Sequence, residues 1–276
     1  MSLIKQKLES NKILIAAHRG SYGGNIIQNS VAAYKAAIKQ NADMIEIDVV
    51  SSKDGVLYGF HTNVESYIGL EKEVHTMTSE EIDNYNCTNV IGEKSGYSIP
   101  RFEAVLEEFR EKCLINVDRA FIDQELWEKT ITVISNAKAH NYVLLKSPVK
   151  EKLLKYVAET DENIMFMPIM YKFDEINTVK QYNINVVAAE LIFDSEDHEL
   201  VSDTAMDYFK SNEILTWVNS IDLGERFNLS GGFTDTKAIT ESEDDNWGKL
   251  IELGFDIIQT DWPAILHNYL ISRGIK

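Results

Sequence analysis

Eight short apolar runs recur along the chain, beginning near positions 13, 43, 114, 142, 164, 186, 214 and 256. Each reads as a strand. Stretches with apolar residues at helical spacing fill many of the gaps, for example 127–139, 149–158 and 246–253. Strand and helix in repeated alternation require parallel strands joined by crossovers. Eight such units within roughly 250 residues match the size of a TIM (β/α)8 barrel. The 276 residues are therefore expected to form one α/β domain, 1–276.

Two segments exceed a minimal barrel. Residues 62–100 follow the second strand and its hairpin, before a helix expected over 100–109, and are too long for a simple connection. They read as a small insertion. Residues 220–243 hold Gly231-Gly232 and many Thr, Ser and Asp, and read as a long loop over the barrel mouth, a candidate lid. Residues 1–12 read as a short polar lead-in or helix.

Chemistry concentrates in the stretch 42–61, ADMIEIDVVSSKDGVLYGFH. Glu46 and Asp48 interrupt an apolar strand two residues apart, so both point to one side of it. Two carboxylates on an apolar strand are costly without a positive partner. A hard divalent cation, Ca²⁺ or Mg²⁺, takes oxygen ligands and suits them. Asp54-Gly55 is a hairpin signal. As a two-residue loop it pairs Lys53 with Val56, which places Asp48 opposite His61. A solvated acidic edge hairpin is the plain alternative.

The remaining strand ends carry further polar groups. The first run ends in His18-Arg19-Gly20, where Gly20 permits a sharp turn. Asn29-Ser30 can cap the helix that follows. Asp118 ends the third strand and Lys146 the fourth. Glu190 and Trp217 are weaker candidates for lining a pocket, Trp217 serving equally well as core packing. In a TIM barrel these positions face the active site. Taken singly, each has a plainer reading: a hydrogen-bonded structural His18, an Asp118–Arg119 surface pair, a surface Lys146.

Composition narrows the partners. A net charge of −17 disfavours a nucleic-acid surface, which needs a Lys/Arg excess, and also an anionic membrane surface. Cys87 and Cys113 form no metal or disulfide pattern. No apolar run approaches the roughly 20 residues of a membrane span. No secretory leader is visible, and the compartment stays open, with a soluble chain expected. A small-molecule substrate is the expected partner.

The chain resembles the glycerophosphodiester phosphodiesterase family, within the wider group of phosphatidylinositol-phospholipase-C-like barrels. The resemblance rests on AAHRG at 16–20, QNSVAAY at 28–34, NADMIEIDV at 41–49 and SKDGVLYGFH at 52–61. IPRFEAVLEEF at 99–109, WVN at 217–219 and LGFDIIQTDWP at 253–263 add to it. It implies a TIM barrel with an insertion after the second strand and one divalent cation. By position it implies His18 and His61 as an acid–base pair, Glu46, Asp48 and Asp118 as metal ligands, and Arg19 as the phosphate-binding residue. It implies hydrolysis of glycerophosphodiesters to glycerol phosphate and an alcohol, through a cyclic phosphate.

The family's third-strand Lys is replaced here by Ala120, and Lys146 is the expected substitute. Arg119 is the second choice, since it should face away from the axis if Asp118 faces in. The family's Pro-Glu-Asn reads Ile27-Gln28-Asn29, and its His-Asp reads His61-Thr62. A weakened barrel that only binds a phosphorylated ligand, or a phospholipase-like lyase, are the competing readings. His75, His140, His198 and His267 have no expected part.

Overall fold

The computed structural model describes residues 3–276. Its strands are β1 (Leu14–Ala17), β2 (Met44–Ser51), β3 (Leu57–Gly59), β4 (Leu114–Asp118), β5 (Val143–Pro148), β6 (Met165–Met170), β7 (Ala188–Leu191), β8 (Leu215–Asn219) and β9 (Ile257–Thr260). Around the ring the order is β1, β9, β8, β7, β6, β5, β4, β2, and β2 pairs back onto β1. All of these pairings are parallel, so eight strands close a TIM barrel, as the repeat of strand and helix requires.

Alternation along the strands builds two apolar layers. Ile15, Ile45, Val117, Leu145, Phe166 and Ile258 face outward onto the helices. Leu14, Ala16, Met44, Leu114, Leu144, Met167, Ala188, Trp217 and Ile257 fill the lumen. Ile4, from the helix Leu3–Ser10, joins the lumen cluster and seals the N-terminal end.

The hairpin β2–β3 is shifted by one residue from the expected register. Val49 pairs with Gly59, Val50 with Tyr58 and Ser51 with Leu57. Ser52 N–H donates to Val56 O at 2.8 Å, so the loop is Lys53-Asp54-Gly55. Gly55 has φ +88°, which makes a three-residue loop with glycine in the left-handed position. Asp48 therefore faces Phe60, whose N–H donates to Asp48 O at 2.9 Å, and not His61.

The segment after β3 contains the helix Ser79–Asp83 and two single-turn helices, Glu65–Ile68 and Val74–Thr76. Ile68, Leu70, Val74, Met77, Ile82, Cys87 and Ile99 form a satellite core with Ile27, Val50, Tyr58 and Phe60 of the barrel side. Residues 220–243 are not a free loop throughout. The helix Asp235–Thr240 occupies their second half. Buried Asp235 accepts from Ser220 Oγ at 2.5 Å, Trp247 Nε1 at 2.9 Å, Thr260 Oγ1 at 2.9 Å and Asp261 N–H at 2.8 Å. That carboxylate pins the segment to the C-terminal end of β9, and burial pushes its pKa up to about 7.

Candidate active site

The lumen positions change character along the barrel axis. The inward parity that holds Ala16, Met44, Leu114, Leu144, Ala188, Trp217 and Ile257 continues to His18, Glu46, Asp48, Asp118, Lys146, Glu190, Asn219 and Asp261. Period-two geometry thus delivers these polar side chains to the C-terminal mouth.

Glu46, Asp48 and Asp118 each offer an oxygen, and these oxygens lie within 4.8 Å of one another. β2 and β4 pair in register, Glu46 beside Asn116 and Asp48 beside Asp118. Burial, reinforced by Asp48 and Asp118, holds the Glu46 pKa well above the carboxylate range. Burial opposes ionisation of Asp118 too, but Lys146 outweighs it and the pKa is lowered. Three crowded carboxylates of this kind fit a hard divalent cation.

Lys146 is in the lumen. Its Nζ lies 2.9 Å from Asp118 Oδ2 and 3.0 Å from Glu190 Oε2, and its side chain is 3% exposed. Burial opposes the charge, but Asp118 and Glu190 more than offset it and raise the pKa. Asn219 Nδ2 donates to Glu190 Oε1 at 2.8 Å, and Trp217 Nε1 donates to Asn219 Oδ1 at 2.8 Å. Trp217 is fully buried, with the Lys146 ammonium 5.8 Å from its ring centre. Glu190 and Trp217 are thus the floor beneath Lys146.

The two histidines stand at separate strand ends. His18 Nδ1 is 2.8 Å from Asp261 Oδ1. With the proton on Nδ1, Nε2 is left for a substrate. His61 Nδ1 donates to Thr62 O at 2.6 Å, again freeing Nε2. The backbone carbonyl of Thr62 supplies that hold, so a neighbouring carboxylate side chain is unnecessary for it. Burial lowers the His61 pKa, Asp48 opposes the shift, and Arg19 and Arg119 add to it.

Arg19 occupies a left-handed conformation, φ +55°. Its N–H donates to Glu46 Oε2 at 2.9 Å, and Nη1 donates to Gln28 Oε1 at 2.9 Å. Its Nε lies 3.0 Å from Asp48 Oδ2 but out of line for a hydrogen bond. Gly20, φ +77°, continues the turn, and a Cβ there would meet the Ala33 carbonyl carbon at 2.7 Å. Only glycine allows this close approach. Ser30 caps the helix Val31–Lys39, as its position suggests. Asn29 does something else: its Nδ2 donates to Asp48 Oδ2 at 2.9 Å, and Tyr34 Oη donates to its Oδ1 at 2.9 Å.

The outward direction expected of Arg119 assumes that strand alternation continues through it. The alternation ends at Asp118, because Arg119 has φ +63°. The charge of its guanidinium reaches His61 and Asp118. Asp261, Asn29, Gln28, Asn219 and Asp235 were not singled out in the sequence for these contacts. Asp261 in the TDWP run and Asn219 in the WVN run each offer a signal, as a polar residue ending an apolar strand.

The fold and site define a TIM barrel with an acidic candidate cation centre at the C-terminal mouth. Several of its curated homologues are named glycerophosphodiester phosphodiesterases, and solved structures of proteins so named share its TIM barrel. One homologue, from Caldanaerobacter subterraneus subsp. tengcongensis, is 29% identical over 175 residues, covering 62% of this chain and 59% of that protein. A match in Bacillus subtilis, 36% identical over 100 residues, covers 41% of its own length, so this chain spans less than two thirds of both relatives.

A rat protein, lysophospholipase D GDPD1, is 20% identical over 96% of this chain and 88% of its own length. A family model described as a domain of unknown function, DUF4996, matches residues 166–270. Among solved structures, a glycerophosphoryl diester phosphodiesterase from Parabacteroides distasonis superposes with a TM-score of 0.76 at 18% identity, covering 99% of this chain and 93% of that one. An Oleispira antarctica phosphodiesterase in complex with the product sn-glycerol-3-phosphate gives 0.70 at 14% identity, covering 98% and 100%. These two likenesses establish the fold. Among the described residues, no helix is long and apolar enough to cross a membrane.

Proposed function

We propose that this chain is a divalent-cation-dependent phosphodiesterase that cleaves glycerophosphodiesters to a glycerol phosphate and a free alcohol. The observation that carries the reading is the convergence of Glu46, Asp48 and Asp118 with Arg19 against them, while His18 and His61 follow β1 and β3, both of which pair with β2. A phosphodiester is an anion that resists attack, so the site must neutralise charge and move two protons. Glu46, Asp48 and Asp118 would hold the cation, Ca²⁺ or Mg²⁺, which supplies Lewis-acid charge neutralisation when bound. Arg19 binds the phosphate, and Lys146 holds the Asp118 carboxylate in place.

His61 is suited to accept a proton at Nε2, because its pKa is lowered and its Nδ1–H is already committed to Thr62. In the first step the glycerol hydroxyl next to the ester attacks phosphorus and gives its proton to His61. The ester bond to the leaving alcohol breaks, and His18 protonates that alkoxide. In the second step water opens the cyclic phosphate with the two histidines in reversed roles. The relatives' names bring in both glycerophosphodiesters and lysophospholipids as diesters to assay.

The purified protein should release choline from glycerophosphocholine with Ca²⁺ or Mg²⁺ and lose that activity in EDTA. Phosphorus NMR should show a transient five-membered cyclic phosphate. A substrate lacking the adjacent hydroxyl should be inert; its normal cleavage would reject the cyclising route alone. No turnover of any glycerol diester with either cation would leave a barrel that only binds phosphorylated ligands.

A further inference from the structure

We propose that Arg119 is a second phosphate-binding residue, forming with Arg19 a two-sided guanidinium clamp on the substrate, while Lys146 acts only through Asp118. The inference rests on the phosphodiesterase reading and moves the phosphate contact from Lys146 to Arg119, the second choice for the family's Lys that falls at Ala120. It begins with Lys146. An ammonium has three N–H donors. Two carboxylates lie within 3.0 Å of this one, and the Trp217 ring lies on its floor side. Buried to 3% exposure, it sits between these two carboxylates rather than at the open rim.

Arg119 is in the opposite condition. It is half-buried, and its Nε is buried with no hydrogen-bond partner. Among the described residues its guanidinium forms no ion pair, unlike those of Arg19, Arg101, Arg110 and Arg273. A desolvated donor without an acceptor is costly unless a ligand supplies one.

Arg119 also repeats the design of Arg19. Both follow an inward polar residue at a strand end, His18 and Asp118, and both adopt left-handed conformations at φ +55° and +63°. Both donate their backbone N–H to a carboxylate of the triad, Arg19 to Glu46 Oε2 at 2.9 Å and Arg119 to Asp118 Oδ1 at 2.5 Å. Both leave Nε without a hydrogen bond. β1 and β4 flank β2 on its two sides, so the two arginines bracket Glu46 and Asp48. Strands two apart are separated by roughly 10 Å, a gap that two long arginine stems and one phosphate can fill. Both guanidinium charges also act on His61, lowering its pKa. A planar fork of N–H donors matches phosphate oxygens in a way an ammonium does not.

The test uses full-length protein with its divalent cation and sn-glycerol 3-phosphate as the probe. Arg119→Asn removes the guanidinium with a residue that tolerates the left-handed turn. Calorimetric affinity for the probe should fall roughly 10–100-fold, with the thermal midpoint moving by no more than about 3 °C. KM for glycerophosphocholine should rise with it, and Arg119→Lys should restore only part. In the wild-type protein, where folding is not at issue, phenylglyoxal should modify Arg119, and the probe should protect it. Unchanged affinity in Arg119→Asn, or labelling of Arg119 indifferent to the probe, would overturn the clamp. If the wild type cleaves no diester yet Arg119→Asn loses probe binding, the clamp stands and the enzymatic reading falls.

Discussion

His18 Nδ1 and Asp261 Oδ1 lie 2.8 Å apart although 243 positions separate them in the chain. They meet because β1 and β9 are neighbours in the closed ring. Asp261 is held in turn, its N–H donating to the buried Asp235 carboxylate at 2.8 Å. The pair favours the imidazole tautomer with the proton on Nδ1, which leaves Nε2 unprotonated.

Asp261→Asn keeps the shape but can present its amide N–H to Nδ1 and favour the wrong tautomer. Turnover should drop by about 10²–10⁴, the range for a general acid–base group, with KM much less affected. Steady-state kinetics on glycerophosphocholine decide it: a variant retaining more than half the wild-type rate would separate Asp261 from the chemistry.

Cation binding should be visible in stability as well as activity. Without a cation, Glu46 has a folded pKa raised above its ordinary 4.5. The folded state then holds the proton more tightly, so the Glu46 contribution is present below that value and lost as pH rises through the raised one. A bound cation removes this loss. Melting curves in EDTA and in Ca²⁺ or Mg²⁺ should therefore diverge as pH rises, and Asp48→Asn should abolish the divergence and nearly all turnover.

The acidic limb of the pH–rate profile should lie below the ordinary histidine value of 6.5, because burial, Arg19 and Arg119 all lower the His61 pKa. His61 must be neutral to accept a proton, so activity is lost as pH falls through that lowered value. Arg119→Asn removes one of the depressing charges and should move the limb to higher pH. A limb that stays in place would mean another group controls it.

Lys146→Met should damage the fold as well as catalysis. It leaves Glu190 buried without its cation, and breaking a buried pair from one side costs about 3–5 kcal/mol. Adding Glu190→Gln should recover much of the stability in urea melts but not the activity. Equal stability of the single and double variants would show that the pair is not what holds this layer.

The barrel was legible in the sequence because each strand is a short apolar run and the runs are separated by helical spacing. Glu46, Asp48 and Asp118 were legible because a carboxylate on an apolar strand needs a reason. What failed was local backbone detail. Asp54-Gly55 was read as a two-residue loop, but Gly55 closes a three-residue one, and the ladder slipped by one. An outward Arg119 follows only if alternation continues through it, but the strand ends at Asp118 and the Arg119 φ is positive. Asp261 was missed because ring closure, not proximity in sequence, brings it to His18. Asn29 fits the capping pattern, yet its neighbour Ser30 takes that part and frees it to hold Asp48.

The lumen that runs from Ile4 at the base to Lys146 and the carboxylates above implies a division of labour along the barrel axis. The base cluster around Ile4, Leu14, Met44, Leu114 and Met165 is apolar and answers to volume and shape, so it can be repacked or stiffened with little charge disturbed. Above it, each side chain is tied to another by charge, and altering one unsettles several. Engineering for robustness belongs at the base and engineering for new substrates at the rim, with the indole as the border between them.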